Sequence, residues 1–425
     1  MGFIEETLRP ISFPKIAKIE QSFDNTQILD IEGYIRGHLF NLEGYQKILP
    51  GQSIAITAGS RSIHAIDVIL RCIIDAVKQK GANPFIVPTM GSHGGATAEG
   101  QLEVLKTLNI TEESMGVPIR SSMEVDEIGR IYDGRPVFLD RYANQADGII
   151  VVNRIKAHTS FKGDYESGLL KMMAIGLGKQ HGAQNYHMTG FKEMPNIIPA
   201  VGREVIRLKN ILFGVGIVEN SYGKVCKIEM LNPCDIAEEE RKLLIEANER
   251  LPRLFFRQAD VLIIKEIGKD ISGTGMDSNV TGRFNNEHFK NDMTITKIGI
   301  LDISYKTKGN ANGVGMGDFI TRRLYNKIDL DQTYPNALTS TTVVSVKIPM
   351  ILDNDKMVIA AAIKTANLMD QRNVRLAIIE STKNMKILYV SENMLQEARQ
   401  KGMAVVSDIT EIPFDCDGNL LLDFR

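Results

Sequence analysis

The sequence predicts an α/β protein of two α/β domains with largely parallel sheets. Short apolar segments of strand length alternate with segments whose apolar residues recur at helical spacing, which is typical of parallel strands joined by crossover helices. A chain of 425 residues also exceeds the size of one ordinary hydrophobic core. We expect the active-site cleft between the two domains, because loops at the carboxyl ends of strands usually form the ligand sites of such sheets.

Composition and charge are those of an ordinary globular protein. The chain is 43% hydrophobic and 24% charged. Its formal net charge of −2 provides no field that would attract nucleic acid or an anionic membrane. The four cysteines contain no CxxC pair, which argues against a structural zinc site, an iron–sulfur site and a disulfide framework. Since no signal-peptide pattern or long apolar segment is present, we expect a cytoplasmic protein.

The apolar patterns place the elements of the first domain. Residues 1–50 are expected to be irregular or to form short strands, because Pro10, Pro14 and Pro50 interrupt them. The segment 236–250 is highly charged, so its helix is expected to face solvent. In this domain, strands are predicted at 53–57, 84–88, 147–153 and 211–217. Helices are predicted at 66–77, from Thr97 onward, and at 167–177, 196–208 and 236–250.

A second α/β unit is predicted after Pro252. We place an N-terminal catalytic domain at residues 1–255 and a C-terminal domain at residues 256–409, and expect the tail of residues 410–425 to return to the first domain. The second domain is expected to contain strands at 259–264, 295–303, 341–348, 374–380 and 386–390, and a helix at 392–401.

Four polar, glycine-rich loops each follow a predicted strand. They span residues 59–61, 91–97, 158–187 and 268–283. The carboxyl ends of parallel strands lie on one edge of a sheet, so these loops can converge. Together they offer an arginine, histidines, a lysine and many glycine N–H groups. This set suits a small anionic substrate and a phosphate-bearing cofactor.

Each of these residues also has a purely structural interpretation. The glycines of 91–95 could serve a tight turn with positive φ, and His158 could be a hydrogen-bonded structural histidine. Lys171 lies in an apolar helical pattern and could extend from a buried face toward solvent, although such a lysine is also a candidate for a lowered pKa and covalent chemistry. An arginine at a strand end, such as Arg61, is more often solvated than bound to a ligand.

Common nucleotide and zinc motifs are missing from the sequence. No G-x-G-x-x-G opens the first βα turn, and Gly176-Leu177-Gly178-Lys179 lacks the earlier glycine and the following Ser or Thr of a P-loop. His181 and His187 are not spaced i, i+4, so no helical zinc pair is predicted. Binding of NAD or of a P-loop nucleotide therefore has no motif support.

Five segments carry most of the glycines and titratable groups of these loops. They are GSRS at 59–62, TMGSHGGATAEGQ at 89–101, VNRIKAH at 152–158, SGLLKMMAIGLGKQHG at 167–182 and ISGTGMDSNVTGR at 271–283. Together, and in this order, they resemble the nickel-dependent lactate racemase family. The resemblance is specific for the superfamily and much less so for the substrate.

The resemblance implies a nickel pincer nucleotide, a pyridinium-3,5-bisthiocarboxylic acid mononucleotide that carries nickel. Lys171 matches the lysine that tethers this cofactor through a thioamide; noncovalent binding is the alternative. His187 lies sixteen positions later (187 − 171) and matches the histidine that ligates square-planar nickel, with His181 as the runner-up.

The resemblance also implies a substrate site and a reaction. His93 and His158 match two histidines that act as acid and base on opposite faces of the substrate. Arg61 matches the arginine that clamps its carboxylate, and Arg283 is matched to a cationic residue of the second domain. The implied reaction inverts C2 of a 2-hydroxy acid: hydride leaves Cα for the cofactor while a histidine takes the hydroxyl proton. The remaining cofactor contacts are assigned to Ser60, Gly94 and Gly95.

The first and third loops depart from the best-known racemases. Residues 58–62 keep only the arginine and a hydroxyl of an Asp-x-Thr-Arg-Pro run, and the histidine-to-lysine spacing of 13 (171 − 158) is longer than in those members. Lys162, Asp164 and Glu166 add polar groups that the methyl group of lactate would not need. A larger 2-hydroxy acid, such as a sugar acid, is therefore a second expectation for the substrate.

Two further functions stay open from the sequence. One is a non-catalytic protein that binds or carries the nickel cofactor, and the other is an unrelated phosphate-binding α/β enzyme. The presence of both His93 and His158 favours the racemase, because a carrier would not need both. The expected partners are a small 2-hydroxy acid and the cofactor-making enzymes that load the protein, without nucleic acid or membrane, and an oligomer stays open.

Overall fold

The computed structural model describes residues 2–425, which form two compact units. The central unit contains residues 24–251 together with 339–341, and the terminal unit contains the chain up to Phe23, residues 252–338 and residues 342–425. Within residues 2–425, no helix combines the length and the apolar character needed to cross a membrane.

The strands are, in chain order, β1 (Ile16–Glu20), β2 (Ser53–Ala58), β3 (Asn83–Pro88), β4 (Val125–Arg130), β5 (Pro136–Asp140), β6 (Gly148–Arg154), β7 (Ile211–Glu219), β8 (Val225–Leu231), β9 (Gln258–Ile267), β10 (Thr294–Ile303), β11 (Phe319–Thr321), β12 (Met350–Leu352), β13 (Leu376–Ile379), β14 (Ile387–Ser391) and β15 (Ala404–Val405).

The α-helices are α1 (Phe3–Leu8), α2 (Ile31–Leu39), α3 (Glu43–Gln46), α4 (Ile66–Gln79), α5 (Ala98–Lys106), α6 (Glu112–Met115), α7 (Arg141–Gln145), α8 (Leu169–Lys171), α9 (Lys179–His187), α10 (Met194–Leu208), α11 (Ile236–Glu249), α12 (Ser278–Thr281), α13 (Arg322–Tyr325), α14 (Leu330–Ser340), α15 (Asp355–Thr365) and α16 (Leu395–Gln400). A π-helical turn, Met172–Gly176, connects α8 to the segment before α9. The short 3₁₀ turns are Gly94–Ala96, Tyr305–Thr307, Val314–Met316, Val344–Val346, Gln371–Asn373 and Glu392–Met394.

The central unit is built on a sheet with the strand order β3-β2-β6-β7-β8. The first four strands are parallel and β8 is antiparallel to β7. Nearly every residue of β2, β3, β6 and β7 is buried, as expected for parallel strands covered on both faces. The apolar stripe of α4 packs into the same core. The α/β fold predicted from the sequence is therefore confirmed.

The terminal unit has a larger mixed sheet, in the order β12-β11-β10-β9-β13-β14-β1-β15. Strands β9 to β13 are parallel, and β14, β1 and β15 continue the sheet in antiparallel pairs. Because β1 pairs with β14, the first residues of the chain belong here and not to a domain of residues 1–255.

The C-terminal tail also departs from the predicted domain organisation, because it packs on the terminal unit. The side chains of Phe414 and Leu420 pack against the core that includes α15. Arg323 donates to Asn419 Oδ1 at 2.9 Å, and the Leu420 N–H donates to Asp355 Oδ2 at 2.9 Å. These contacts place residues 410–425 in the terminal unit, whereas the sequence analysis expected them to return to the first domain.

Two secondary-structure predictions are wrong. Residues 341–348 form no strand but an irregular segment with a 3₁₀ turn, in which the Ser345 hydroxyl bonds to Asn312 Oδ1 (3.0 Å) and to the Thr342 carbonyl (3.1 Å). These side-chain hydrogen bonds favour the irregular conformation over the strand that the Thr- and Val-rich sequence predicts. Residues 1–50 contain the helix α2, whose first turn is capped by Asp30 through the Gly33 N–H at 2.8 Å.

Candidate active site

The carboxyl ends of three neighbouring parallel strands bring the predicted loops of the central unit together. Ala58 at the end of β2 pairs with Pro88 at the end of β3, and β2 also pairs with β6. The residues that follow these strands therefore lie along one edge of the sheet. The Oγ atom of Ser60 is 2.5 Å from Nδ1 of His93, which joins the first two loops directly.

The glycine-rich loop around His93 has a tightly folded backbone. Gly94 and Gly95 have φ values of 67° and 65°, a region that favours glycine. A Cβ atom on Gly94 would lie 2.5 Å from the carbonyl carbon of Gly100, whereas a Cβ on Gly95 would meet nothing within 4 Å. Gly94 thus allows the loop to pack closely against α5, a role that the sequence did not predict. Cofactor binding by Gly94 or Gly95 stays a prediction.

His158 is held by the loop that follows β6. The backbone N–H of Ser160 donates to its Nδ1 at 3.0 Å, and its ring stacks on Phe161 with the ring centroids 4.2 Å apart. Burial holds the pKa of His158 well below its ordinary value, and the charges of Lys171 and His187 lower it further. A ring nitrogen that accepts a hydrogen bond carries no proton, so neutral His158 carries its proton on Nε2.

Lys171, at the end of α8, belongs to a cluster of half-buried cationic groups. Burial lowers its pKa from 10.5 to about 7; the charge of Arg61 lowers it further, and Glu166 raises it. The pKa of Arg61 itself falls to about 10, mainly through burial and also through the charge of Arg154. A lysine with this pKa is partly neutral near pH 7 and can act as a nucleophile.

His187, at the end of α9, shares this environment and His181 does not. Burial lowers the pKa of His187 to about 4, with a second contribution from the charge of Lys171. Its ring lies edge-on to Phe191, with the centroids 5.5 Å apart. His181 is exposed on the same helix and contacts Phe138. A neutral imidazole suits metal binding, and His187 stays the predicted nickel ligand.

Two of the polar groups between His158 and Lys171 maintain the loop itself. Lys162 Nζ lies 3.2 Å from Glu166 Oε2, and Glu166 is only 3% exposed. The same carboxylate accepts the backbone N–H of His158 at 2.5 Å. Lys162 and Glu166 therefore hold His158 in place. Because they are used within the loop, their presence does not indicate a larger, hydroxylated substrate.

The start of α8 depends on Glu240 of α11, which the sequence did not single out. Its Oε2 accepts the Leu170 N–H at 2.9 Å, and a Cβ atom on Gly168 would lie 2.2 Å from its Oε1. Burial raises the pKa of Glu240 to about 7. The sequence did not indicate this residue, because the acidic side chains of such a highly charged helix are expected to face solvent.

Arg283 is placed in the terminal unit, where its guanidinium is used structurally. It lies 2.8 Å from Asp318 Oδ2 and donates to the carbonyls of Ile295, Thr296 and Met316. Ile295 and Thr296 begin β10, so Arg283 sits at the amino end of that strand and not at the carboxyl end, where a ligand was expected. Arg283 therefore stabilises the terminal unit through these contacts.

Protein side chains alone do not assemble a metal site in the part of the chain that is described. Among residues 2–425, no group of three or more His, Cys, Asp or Glu residues could hold a metal ion. A metal at His187 would therefore take its other ligands from outside this set.

Comparisons with known proteins agree with the fold and with the N-terminal segments. Residues 46–197 match the lactate racemase N-terminal domain. The fold is similar to that of the lactate racemase apoprotein from Thermoanaerobacterium thermosaccharolyticum, with a TM-score of 0.52 and 15% sequence identity over 86% of this chain and 98% of that one. No relative was found among curated protein sequences. The predicted resemblance is confirmed.

Proposed function

We propose that this protein is a racemase or epimerase that inverts C2 of a 2-hydroxy acid, because residues 46–197 match the lactate racemase N-terminal domain. The observation that carries the proposal is the 2.5 Å contact between Ser60 and His93 on the sheet edge from which the Arg61, His158 and Lys171 loops also start. This edge supplies both a cation for a carboxylate and imidazoles for a hydroxyl group.

The residues present fit a nickel pincer nucleotide. His187 is neutral at physiological pH and has a lone pair for nickel, and Lys171, with its pKa of about 7, has a reactive amine for a covalent tether. When bound, this cofactor would supply an electrophilic ring to which hydride from C2 of the substrate can be transferred.

The protein's own contribution is to orient the substrate and to move one proton. Arg61 binds the carboxylate through its guanidinium fork, which fixes C2 and its hydroxyl group. If Nδ1–H of His93 donates to Ser60 Oγ, Nε2 of His93 is the unprotonated nitrogen that accepts the hydroxyl proton and returns it.

His158 has a different role in this geometry. Its Nε2–H donates a hydrogen bond to the substrate oxygen as charge develops there, because the Ser160 N–H occupies its other nitrogen. Inversion would require the planar 2-keto acid to present its other face to the bound cofactor. His93 and His158 are thus not equivalent bases, which refines the role implied by the family resemblance.

A screen of 2-hydroxy acids and aldonates tests this function. The protein is co-expressed with the cofactor-making enzymes in the cytoplasm, where we propose that it is loaded, and inversion at C2 is followed by chiral chromatography. Inversion of at least one acid, dependent on nickel, is expected. Tight cofactor binding without inversion of any acid would favour the carrier, and activity without nickel would favour an unrelated phosphate-binding enzyme.

A further inference from the structure

A buried ion pair lies behind the loop that carries His93. Lys179 and Asp140 both have fully buried side chains, with Lys179 Nζ 3.2 Å from Asp140 Oδ2. Asp140 also caps α7, because its Oδ1 accepts the Ala143 N–H at 2.9 Å. Burying two charges is unfavourable unless they are paired and hydrogen-bonded, so the pair needs further partners.

The further partners of the ammonium lead toward His93. Lys179 Nζ donates to the carbonyl of Pro88, the last residue of β3, and to Oε1 of Gln101 at 3.2 Å. Gln101 is fully buried, and its Nε2 donates to the carbonyls of Gly91 at 2.9 Å and His93 at 3.3 Å. The ammonium and the amide together therefore bind both ends of the segment between Pro88 and His93.

The same lysine begins the helix that ends at His187. Lys179 is the first residue of α9, and its φ of 52° lies in the left-handed region, where glycine would be less strained. The ion pair and hydrogen bonds of the Lys179 ammonium group compensate for this backbone strain, and glycine could not make them. The lysine of the segment 176–179, which does not match a phosphate-binding loop, thus has a structural role: it binds Asp140, Gln101 and the Pro88 carbonyl.

We propose that Asp140, Lys179 and Gln101 are positioning residues that fix the His93 loop relative to the His187 helix. None of the three needs to touch the substrate. Their hydrogen bonds fix the position of His93, which moves the proton, relative to α9, which carries the proposed metal ligand His187. This inference rests on the proposed function for its catalytic consequence, but its structural part can be measured in the protein without cofactor.

The Gln101→Leu variant tests the inference, because it keeps the side chain's approximate size and removes both donors to the loop carbonyls. Asn220→Leu is the matched control: Asn220 is also buried, and its Nδ2 donates to a loop carbonyl, that of Thr26, at 2.9 Å. A second variant, Lys179→Met with Asp140→Asn, removes both charges at once and keeps a side chain that can cap α7.

Hydrogen exchange of the cofactor-free proteins is measured by mass spectrometry for peptides covering residues 89–97 and 179–187. We expect exchange in residues 89–97 to be at least about tenfold faster in Gln101→Leu than in the wild type, and unchanged in Asn220→Leu. In loaded enzyme, kcat should fall by about 10- to 100-fold with KM within about twofold, because His93 is displaced while Arg61 still binds the carboxylate.

The outcomes separate this inference from the proposed function. Faster exchange in a protein that inverts no acid would support the positioning and reject the racemase. Unchanged exchange and unchanged kcat in Gln101→Leu would overturn the positioning while sparing the racemase. Failure of both network variants to fold, with a folded Asn220→Leu control, would show that the network stabilises the whole unit and would also overturn it.

Discussion

Ser60 and His93, which follow different strands, meet through a contact of 2.5 Å between Oγ and Nδ1. The contact orients the imidazole, and when the hydroxyl group accepts from Nδ1–H, Nε2 is the basic nitrogen. If His93 moves the proton, Ser60 determines how well it does so.

Substitution of this pair should therefore have graded effects. We predict that His93→Ala lowers kcat by about 10²- to 10⁴-fold, and that Ser60→Ala lowers it by a smaller factor, about tenfold, since the imidazole stays but loses its orientation. Steady-state kinetics on loaded enzyme measure both. Cofactor content, read from intact mass and nickel, should match the wild type. A Ser60→Ala enzyme less active than His93→Ala would contradict the order.

His158 should behave as a hydrogen-bond donor. We predict that His158→Gln, whose amide can still donate, retains at least about tenfold more activity than His158→Ala, because a donor to the developing oxygen charge contributes by itself. In the cofactor-free protein, ¹⁵N NMR should show the Nε2–H tautomer and no titration at neutral pH. Equal loss in both variants, with the proton found on Nδ1, would restore His158 as a base.

The lowered pKa of Lys171 gives a pH dependence of stability. In the cofactor-free protein the folded state loses this proton near pH 7 and the unfolded state near pH 10.5. Between these values the unfolded state binds more protons, so this group makes the free energy of unfolding rise with pH. Lys171→Met should remove that contribution and be the more stable protein at pH 7. Urea unfolding from pH 6 to 10 measures the difference, and parallel curves for the two proteins would refute the lowered pKa.

Gly168 and Glu240 should show strong coupling. A Cβ at Gly168 would meet the Glu240 carboxylate at 2.2 Å, so Gly168→Ala should destabilise the protein by about 1–3 kcal/mol. In a Glu240→Ala background the same substitution should be nearly neutral, because the clashing oxygen is gone. Thermal or urea unfolding of the four proteins of the cycle measures the coupling. Additive effects would mean that the two residues do not meet as described.

The sequence predicted those parts of the fold whose signals are local. The apolar segments of β2, β3, β6 and β7 and the helical stripe of α4 need no knowledge of distant residues. It could not place β1 or the tail, because the pairing of Ile16 with Ser391 and the contact of Asn419 with Arg323 depend on residues far along the chain.

The candidate site divides in the same way. Ser60 and His93 were predicted because they lie in polar loops that follow buried strands, and Lys171 because it lies in an apolar helical pattern. Glu240, on a charged helix, gave no such signal, and Arg283 was assigned from a motif although its partners, Asp318 and three carbonyls, make it structural. The sequence drew attention to Lys179 only because it lies in a segment that partly matches a phosphate-binding loop, and its role in the buried ion pair was not predicted.

The most direct measurement is the fate of a deuterium label at C2 during inversion. Loaded enzyme is given a single enantiomer of a 2-deuterated 2-hydroxy acid in ordinary water. The opposite enantiomer is then isolated, and its deuterium content is measured by mass spectrometry. Transfer of C2 hydrogen as hydride predicts that the inverted product keeps its deuterium. Loss of the label to solvent, or the absence of inversion for every acid tried, would contradict the proposed reaction.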